Sequence, residues 1–266
     1  MTQLARPDFA RDPAAARHER LVPAPRAAPA PAGGPWLAKA RAWQSDTSRA
    51  VPSWAVVTAA LSPVVLVAGW LIADAVQPAF YSPIRQTMSA LAGQTGTDRW
   101  IMTGSLLLLG SCQILTGAGL TGVRMPARLL LITTGLCSIG VAASPEPAAG
   151  PTPLHLAFAV GCEVTAAAWP AFIAQRGPAR PWILSSYCCA IVTAAFAAMS
   201  GWLLIEAVTG GDYLGLAERL TSSLQGLWPL AVALALLAAR HARSLELRRG
   251  TDRGVCVRRE RAQGLP

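Results

Sequence analysis

Charge is the scarce ingredient of this chain, and where it is missing decides the class of protein. Only 14% of the 266 residues are Asp, Glu, Lys or Arg, against about 25% in a soluble domain. The shortage is concentrated in the middle. Of 23 Lys and Arg, eight fall in residues 1–50 and eight in residues 240–266, leaving seven for the 189 residues between. So few charges cannot cover a water-soluble core of that length. A bilayer removes the requirement, because lipid solvates apolar surface directly.

Other absences narrow the function. No C-x-x-C pair occurs among the six cysteines, which leaves zinc and thioredoxin-like chemistry without support. Cys112, Cys137, Cys162, Cys188 and Cys189 fall inside apolar runs and Cys256 near the C-terminus; the first five read as small buried hydrophobes. There is no G-x-S-x-G, H-E-x-x-H, phosphate loop or carboxylate-rich metal motif. No catalytic set, cofactor or metal is therefore expected. The formal charge of +9 sits in tails without interleaved aromatics, so nucleic acid is not the expected partner. Basic segments flanking spans set orientation and touch anionic lipid.

What the chain does have is long apolar runs. A span needs about 20 residues, because a helix rises 1.5 Å per residue across roughly 30 Å of hydrocarbon. Six runs qualify: Trp54 to Val76, Trp100 to Thr121, a shorter one from Arg128 to about Ala143, Leu154 to Ile173, Trp182 to Val208, and Leu220 to Ala239. The connections "GVRMPAR", "SPEPAAGPTP" and "QRGPARP" carry the Pro and Gly that end helices. Trp54, Trp70, Trp100, Trp182 and Trp202 fall toward span ends, where indole favours the interface.

The expected fold is all-α: a polytopic membrane bundle of about six transmembrane helices, residues 51–240, between basic tails. Residues 1–50, rich in Pro, Ala and Arg, lack periodic hydrophobics and read as a disordered cytoplasmic tail. They do not resemble a secretory signal. Residues 241–266 read as a second basic cytoplasmic tail. With the N-terminus inside, the inner segments carry 20 Lys and Arg and the outer ones only Arg85, Arg99 and Arg219. That bias predicts a multi-pass protein of the cell membrane with both termini cytoplasmic. The Ala, Pro and Arg bias fits a GC-rich bacterial genome.

Glu163 is the most informative residue. It lies about nine residues into the fourth run, where a carboxylate costs several kcal/mol unless protonated, paired or hydrated. It is expected either to bond a neighbouring helix through Ser, Thr or Gln113, or to act in function. His155, eight residues earlier, points to the same helix face about 12 Å away along the axis. It is either a capping residue or a proton acceptor. The long connection from Gln77 to Trp100 could contain a short re-entrant or interfacial helix around Ser89–Ala92. Its Arg85, Asp98 and Arg99 are expected near Glu218 and Arg219 as an outer charged cluster, with Glu146 at the "SPEP" connection. The alternative is that these are solvated loop charges. The "GAGLTG" run follows a helix and reads as close helix packing rather than a nucleotide loop. Trp169-Pro170 and Trp228-Pro229 form similar pairs, and each proline frees a helical carbonyl.

The runs "IRQTMSALAGQTGTDRWIMTGSLLLLGSCQILTGAGL", "SPEP", "PLHLAF", "WPAF", "GLAERL" and "LWPL" resemble the family called domain of unknown function 998. These are multi-span membrane proteins, mostly bacterial, and the resemblance covers about residues 55–240. It implies a six-helix membrane domain and supplies no catalytic residues. Three functions are carried forward: a non-enzymatic component binding a lipid or protein partner, a small transporter or proton-coupled carrier using Glu163 and His155, and a membrane enzyme acting on lipid. A carrier requires a polar cavity reaching Glu163. An enzyme requires titratable groups converging near the interface.

Overall fold

A computed structural model describes residues 51–176 and 180–262. These lie in one unit, Trp43–Pro266; the unit Met1–Ala42, and with it the expected N-terminal tail, lies outside the described residues. Among the described residues there are seven α-helices and no strand. They are α1 Ser53–Ala75, α2 Met88–Ala92, α3 Trp100–Gly119, α4 Met125–Ala143, α5 Pro153–Ile173, α6 Ser186–Thr209 and α7 Leu214–Ala262. A single 3-10 turn, Trp182–Leu184, precedes α6. Six helices are long and apolar enough to cross a membrane: α1, α3, α4, α5, α6 and the Leu214–Ala242 part of α7. At 19 to 29 residues they rise about 28 to 43 Å.

Local chemistry sets the helix ends. The side chains of Thr87, Thr152 and Ser185 accept the N–H groups of Ala90, His155 and Cys188 at the starts of α2, α5 and α6, satisfying amides that have no partner inside the helix. Pro126 and Pro153 occupy the first turns of α4 and α5, where proline's missing N–H costs nothing. Gly210 ends α6 at φ +65°, a left-handed cap that glycine adopts without strain. At the end of α3, Arg128 donates to the carbonyls of Gly117 and Ala118 at 3.0 and 2.6 Å, placing a cation at the negative end of the helix dipole.

The expected boundaries shift in four places, the fifth span beginning at Ser186 rather than Trp182. The third span begins at Met125 and reaches 19 residues, so the run that looked short is long enough. The last span begins at Leu214 rather than Leu220. The segment from residue 241, expected as a tail, continues α7 as helix to Ala262. Residues 241–262 contain no proline and are rich in Arg, which loses little on entering a helix.

The spans close a ring in chain order. The most extensive contacts are α1–α3, α3–α4, α4–α5, α5–α6, α6–α7 and α7–α1. Glycines permit the tightest of these: a Cβ on Gly110 or Gly135 would fall 2.5 Å from the other's carbonyl oxygen, so α3 and α4 meet backbone to backbone. Gly117 and Gly119 of "GAGLTG" likewise sit against Arg128 and Ala55.

One end of the ring carries Arg124, Arg128, Arg176, Arg180 and Arg240, and the other carries Asp98, Glu146, Glu206 and Asp212; they are called here the basic and acidic ends. The basic half is filled by an apolar cluster that includes Ala55, Leu131, Trp169, Ile173, Leu184 and Val232. A second cluster, including Leu66, Met102, Leu106 and Val141, fills the acidic half between α1, α3 and α4. Helix α2 drops into it, burying Met88, Leu91 and Ala92. The short helix expected at 89–92 is thus an inserted plug, one residue longer at its start.

Candidate functional site

Glu163 stands at the midpoint of α5, Pro153–Ile173. Ser200 of α6 donates to its Oε2 at 2.8 Å, and Gln225 of α7 donates to the same oxygen at 3.3 Å. Gln225 Nε2 also donates to Ser200 Oγ at 3.1 Å. Three helices therefore meet at one carboxyl. Both donors use Oε2; Oε1 takes no hydrogen bond among the described residues. Neither α5 nor α6 contains a Lys or Arg. A Cβ on Gly201 of α6 or Gly226 of α7 would meet no atom within 4 Å, so neither helix is closely packed at these positions.

Sequence reasoning anticipated a helix-to-helix bond through a Ser, Thr or Gln113, without naming Ser200 and without Gln225. Gln113, one expected donor, instead accepts from Ser138 at 3.2 Å. The cause is ring order: Gln113 lies on α3, which packs on α1 and α4, whereas α5 meets α4 and α6. Ser200 and Gln225 carried a weak signal as uncharged polar residues within otherwise apolar runs.

Toward the acidic end, Glu218 and Arg219 of α7 hold the long connection in place. Arg219 is 5% exposed. Its guanidinium donates to the carbonyls of Pro83, Gln86 and Gly215 at 2.8, 2.7 and 3.1 Å. It also donates to Asp74 Oδ1 at 2.9 Å and the Tyr81 hydroxyl at 2.6 Å. The same guanidinium carbon lies 5.5 Å from the Trp70 ring, within cation–π range. Tyr81 in turn donates to Asp74 at 2.9 Å. Burial raises the Tyr81 phenol above its ordinary pKa, with Arg219 acting in the opposite direction. Gly215 is required here, since a Cβ would lie 2.2 Å from the Gln86 carbonyl oxygen. Glu218 accepts the Met88 N–H at the start of α2.

The remaining expected residues divide. Arg85 pairs with Asp212 at 3.3 Å, both side chains being mostly exposed. Asp98 is exposed at φ +48°, and Arg99 stacks 4.4 Å from the Trp100 ring. The expected cluster is therefore split, with Arg219 joined to Asp74 and Tyr81 rather than to Arg85, Asp98 or Arg99. His155 is buried, with Nδ1 2.7 Å from the Ser144 carbonyl at the end of α4, two turns from Glu163. Glu146 is half-buried, and its carbonyl accepts the Gln94 N–H at 2.8 Å. Burial raises its carboxyl pKa, and the neighbouring His155 counteracts part of the rise. Along the spans, Glu146 and Glu218 lie toward the acidic end and Glu163 at the middle.

Six apolar spans closed in chain order define a polytopic helical membrane protein. The family described as Protein of unknown function (DUF998) matches residues 60–235, from α1 to the middle of α7, and the chain belongs to that family. No curated protein and no solved structure matches the chain.

Proposed function

We propose that this protein is a small carrier whose coupling group is Glu163, alternately binding and releasing a proton as a solute crosses. The observation that carries the reading is the carboxyl at the centre of the spans, held on one oxygen by Ser200 and Gln225 and open on the other. A group serving only to join helices gains by having every lone pair satisfied. This one leaves an acceptor without a hydrogen bond, and in this reading Glu218 and Glu146, which lie toward the acidic end, mark the route by which protons reach it. With the basic end in the cytoplasm, as the arginine bias supports, that route opens to the outside. His155, bonded to Ser144, serves to anchor the mouth of the route rather than to relay protons to Glu163.

Proteoliposomes enclosing a pH-sensitive dye test this. An imposed sodium-free pH gradient should collapse faster with the native protein than with empty vesicles, and Glu163→Gln should remove the difference while remaining folded. Proton flux unchanged by that substitution would defeat the reading. Reporter fusions at residues 148 and 212 should lie outside the cell membrane and one at 125 inside; the reverse would move the route to the cytoplasmic face.

A second reading, a component that binds lipid or protein, draws on exposed aromatics at the acidic end. Phe80 is 85% exposed and Trp100 69%. Substituting both with Ser should then abolish partner capture without altering proton flux.

A further inference from the structure

Three polar atoms at the middle of the spans close a triangle. Ser200 Oγ lies 2.8 Å from Glu163 Oε2, Gln225 Nε2 lies 3.3 Å from the same oxygen, and Gln225 Nε2 lies 3.1 Å from Ser200 Oγ. Hydrogen counting fixes the direction of each side. A side-chain amide nitrogen carries two hydrogens and accepts none, so Gln225 donates along both of its sides. A hydroxyl carries one hydrogen, and Ser200, which receives from Gln225, gives its own to Glu163. A helical serine does not take that orientation by itself. The hydroxyls of Ser62, Ser105, Ser111 and Thr193 each return to the carbonyl four residues back, the local bond open to any helical Ser or Thr. The hydroxyl of Ser200 instead crosses to α5. What distinguishes it is Gln225, 7% exposed, whose N–H draws the Ser200 oxygen toward α7 and turns its proton onto the carboxyl.

The two oxygens of Glu163 therefore differ. Oε2 has a donor for each lone pair, and a proton placed there would face the hydrogens of both. Oε1 takes no hydrogen bond among the described residues. We propose that Gln225 is the positioning residue of this site: it turns the Ser200 hydroxyl onto Oε2, holds that oxygen as an acceptor, and leaves Oε1 to take and give up the proton. This rests on the carrier reading and says what sets the pH at which its coupling group exchanges. Both bonds are stronger to a carboxylate than to a neutral acid. Gln225 thus favours the charged form twice, once directly and once through Ser200. The other titratable or charged groups on the helices packed around Glu163 are His155 and Cys162 on α5, Arg128 and Cys137 on α4, Tyr187, Cys188, Cys189 and Glu206 on α6, and Glu218, Arg219, Arg240 and His241 in the span of α7. None of these bonds the Glu163 carboxyl, whose partners among the described residues are Ser200 and Gln225.

The test reads that carboxyl directly. Infrared spectra of the full-length protein in lipid nanodiscs are taken across a pH series, and the protonated-carboxyl stretch that Glu163→Gln removes is assigned to Glu163. Gln225→Met keeps the length of the side chain without its donors. Half-protonation should then move to higher pH by about two units, about one for each donor lost. Ser200→Ala should move it by about one unit, and the double variant no further than Gln225→Met alone, because Gln225 acts partly through Ser200. Additive shifts, a shift in Gln225→Met no larger than in Ser200→Ala, or a Glu163 band that never titrates overturns the proposal. Ser200→Ala favours the helix, so it keeps the test decisive if Gln225→Met misfolds: no shift in that variant also overturns it. Proton flux that depends on Glu163, with half-protonation unmoved in Gln225→Met, would leave the carrier reading standing and remove the positioning role. The full pattern of shifts without any Glu163-dependent flux would keep Gln225 in that role and remove the carrier.

Discussion

Helix α3 buries ten of its 20 residues, whereas α6 buries two of 24. The first packs on α4 through glycines whose backbones touch. The second reaches its neighbours through polar side chains, Ser200 to Glu163 and Gln225. In a bilayer there is no hydrophobic drive between helices, so close packing and hydrogen bonds are the available attractions. Shape complementarity makes α3–α4 rigid and leaves it no room for a ligand. Polar contact at α5–α6–α7 holds the ring closed through side chains rather than touching backbones. The Arg219 network joins α7 to α1 and the long connection, so the looser side is anchored to the tighter one.

The largest effect should come from breaking that anchor. Arg219→Met leaves Asp74 without its cation and removes the donor from three carbonyls. Removing one partner of a buried pair costs about 3–5 kcal/mol. Thermal unfolding in detergent should show a large loss, and proteolysis within residues 76–87 should accelerate. Stability within error of the native protein would mean that the anchor contributes nothing. By contrast, Arg85→Ala removes only an exposed pair and should cost under about 1 kcal/mol.

Next in size are paired glycine substitutions, which set the two regions against each other directly. Gly135→Ala forces a Cβ into the Gly110 carbonyl and should cost about 1–3 kcal/mol. Gly201→Ala meets open space and should be neutral or stabilising by up to about 1 kcal/mol, from helix propensity alone. Equal losses at both positions would show that α6 is as tightly packed as α4.

A smaller change is expected at Glu163. Glu163→Leu loses two hydrogen bonds, each worth under about 1 kcal/mol on average within a membrane. Ser200 and Gln225 can still bond each other. Glu163→Gln should retain nearly all the stability. A loss above that expected from Arg219→Met would make Glu163 chiefly structural.

The smallest effect concerns Glu146. Its pKa is raised in the folded state by burial, so the folded protein favours the protonated form. Its contribution to stability is present below the unfolded-state value near 4.5 and is lost as pH rises through the higher folded-state value. Glu146→Gln should therefore flatten the decline of melting temperature over that window. An unchanged pH profile would remove Glu146 as its source.

Much of this was legible along the chain. Span number and the short helix near Ser89–Ala92 follow from local rules such as apolar length, and Glu163 stands out in the sequence by the cost of a carboxyl in hydrocarbon. These depend on residues a few positions apart. The partners were not legible. Asp74 and Arg219 are 145 residues apart, and Glu163 and Gln225 are 62 apart. Apolar patterning marks which stretches enter a membrane but says little about their order around a ring, because lipid accepts any apolar face. Only the closure of α7 on α1 decided that Arg219 is a buried clasp rather than a loop charge. Only the meeting of α5, α6 and α7 decided that Ser200 and Gln225, rather than Gln113, bond the central carboxyl.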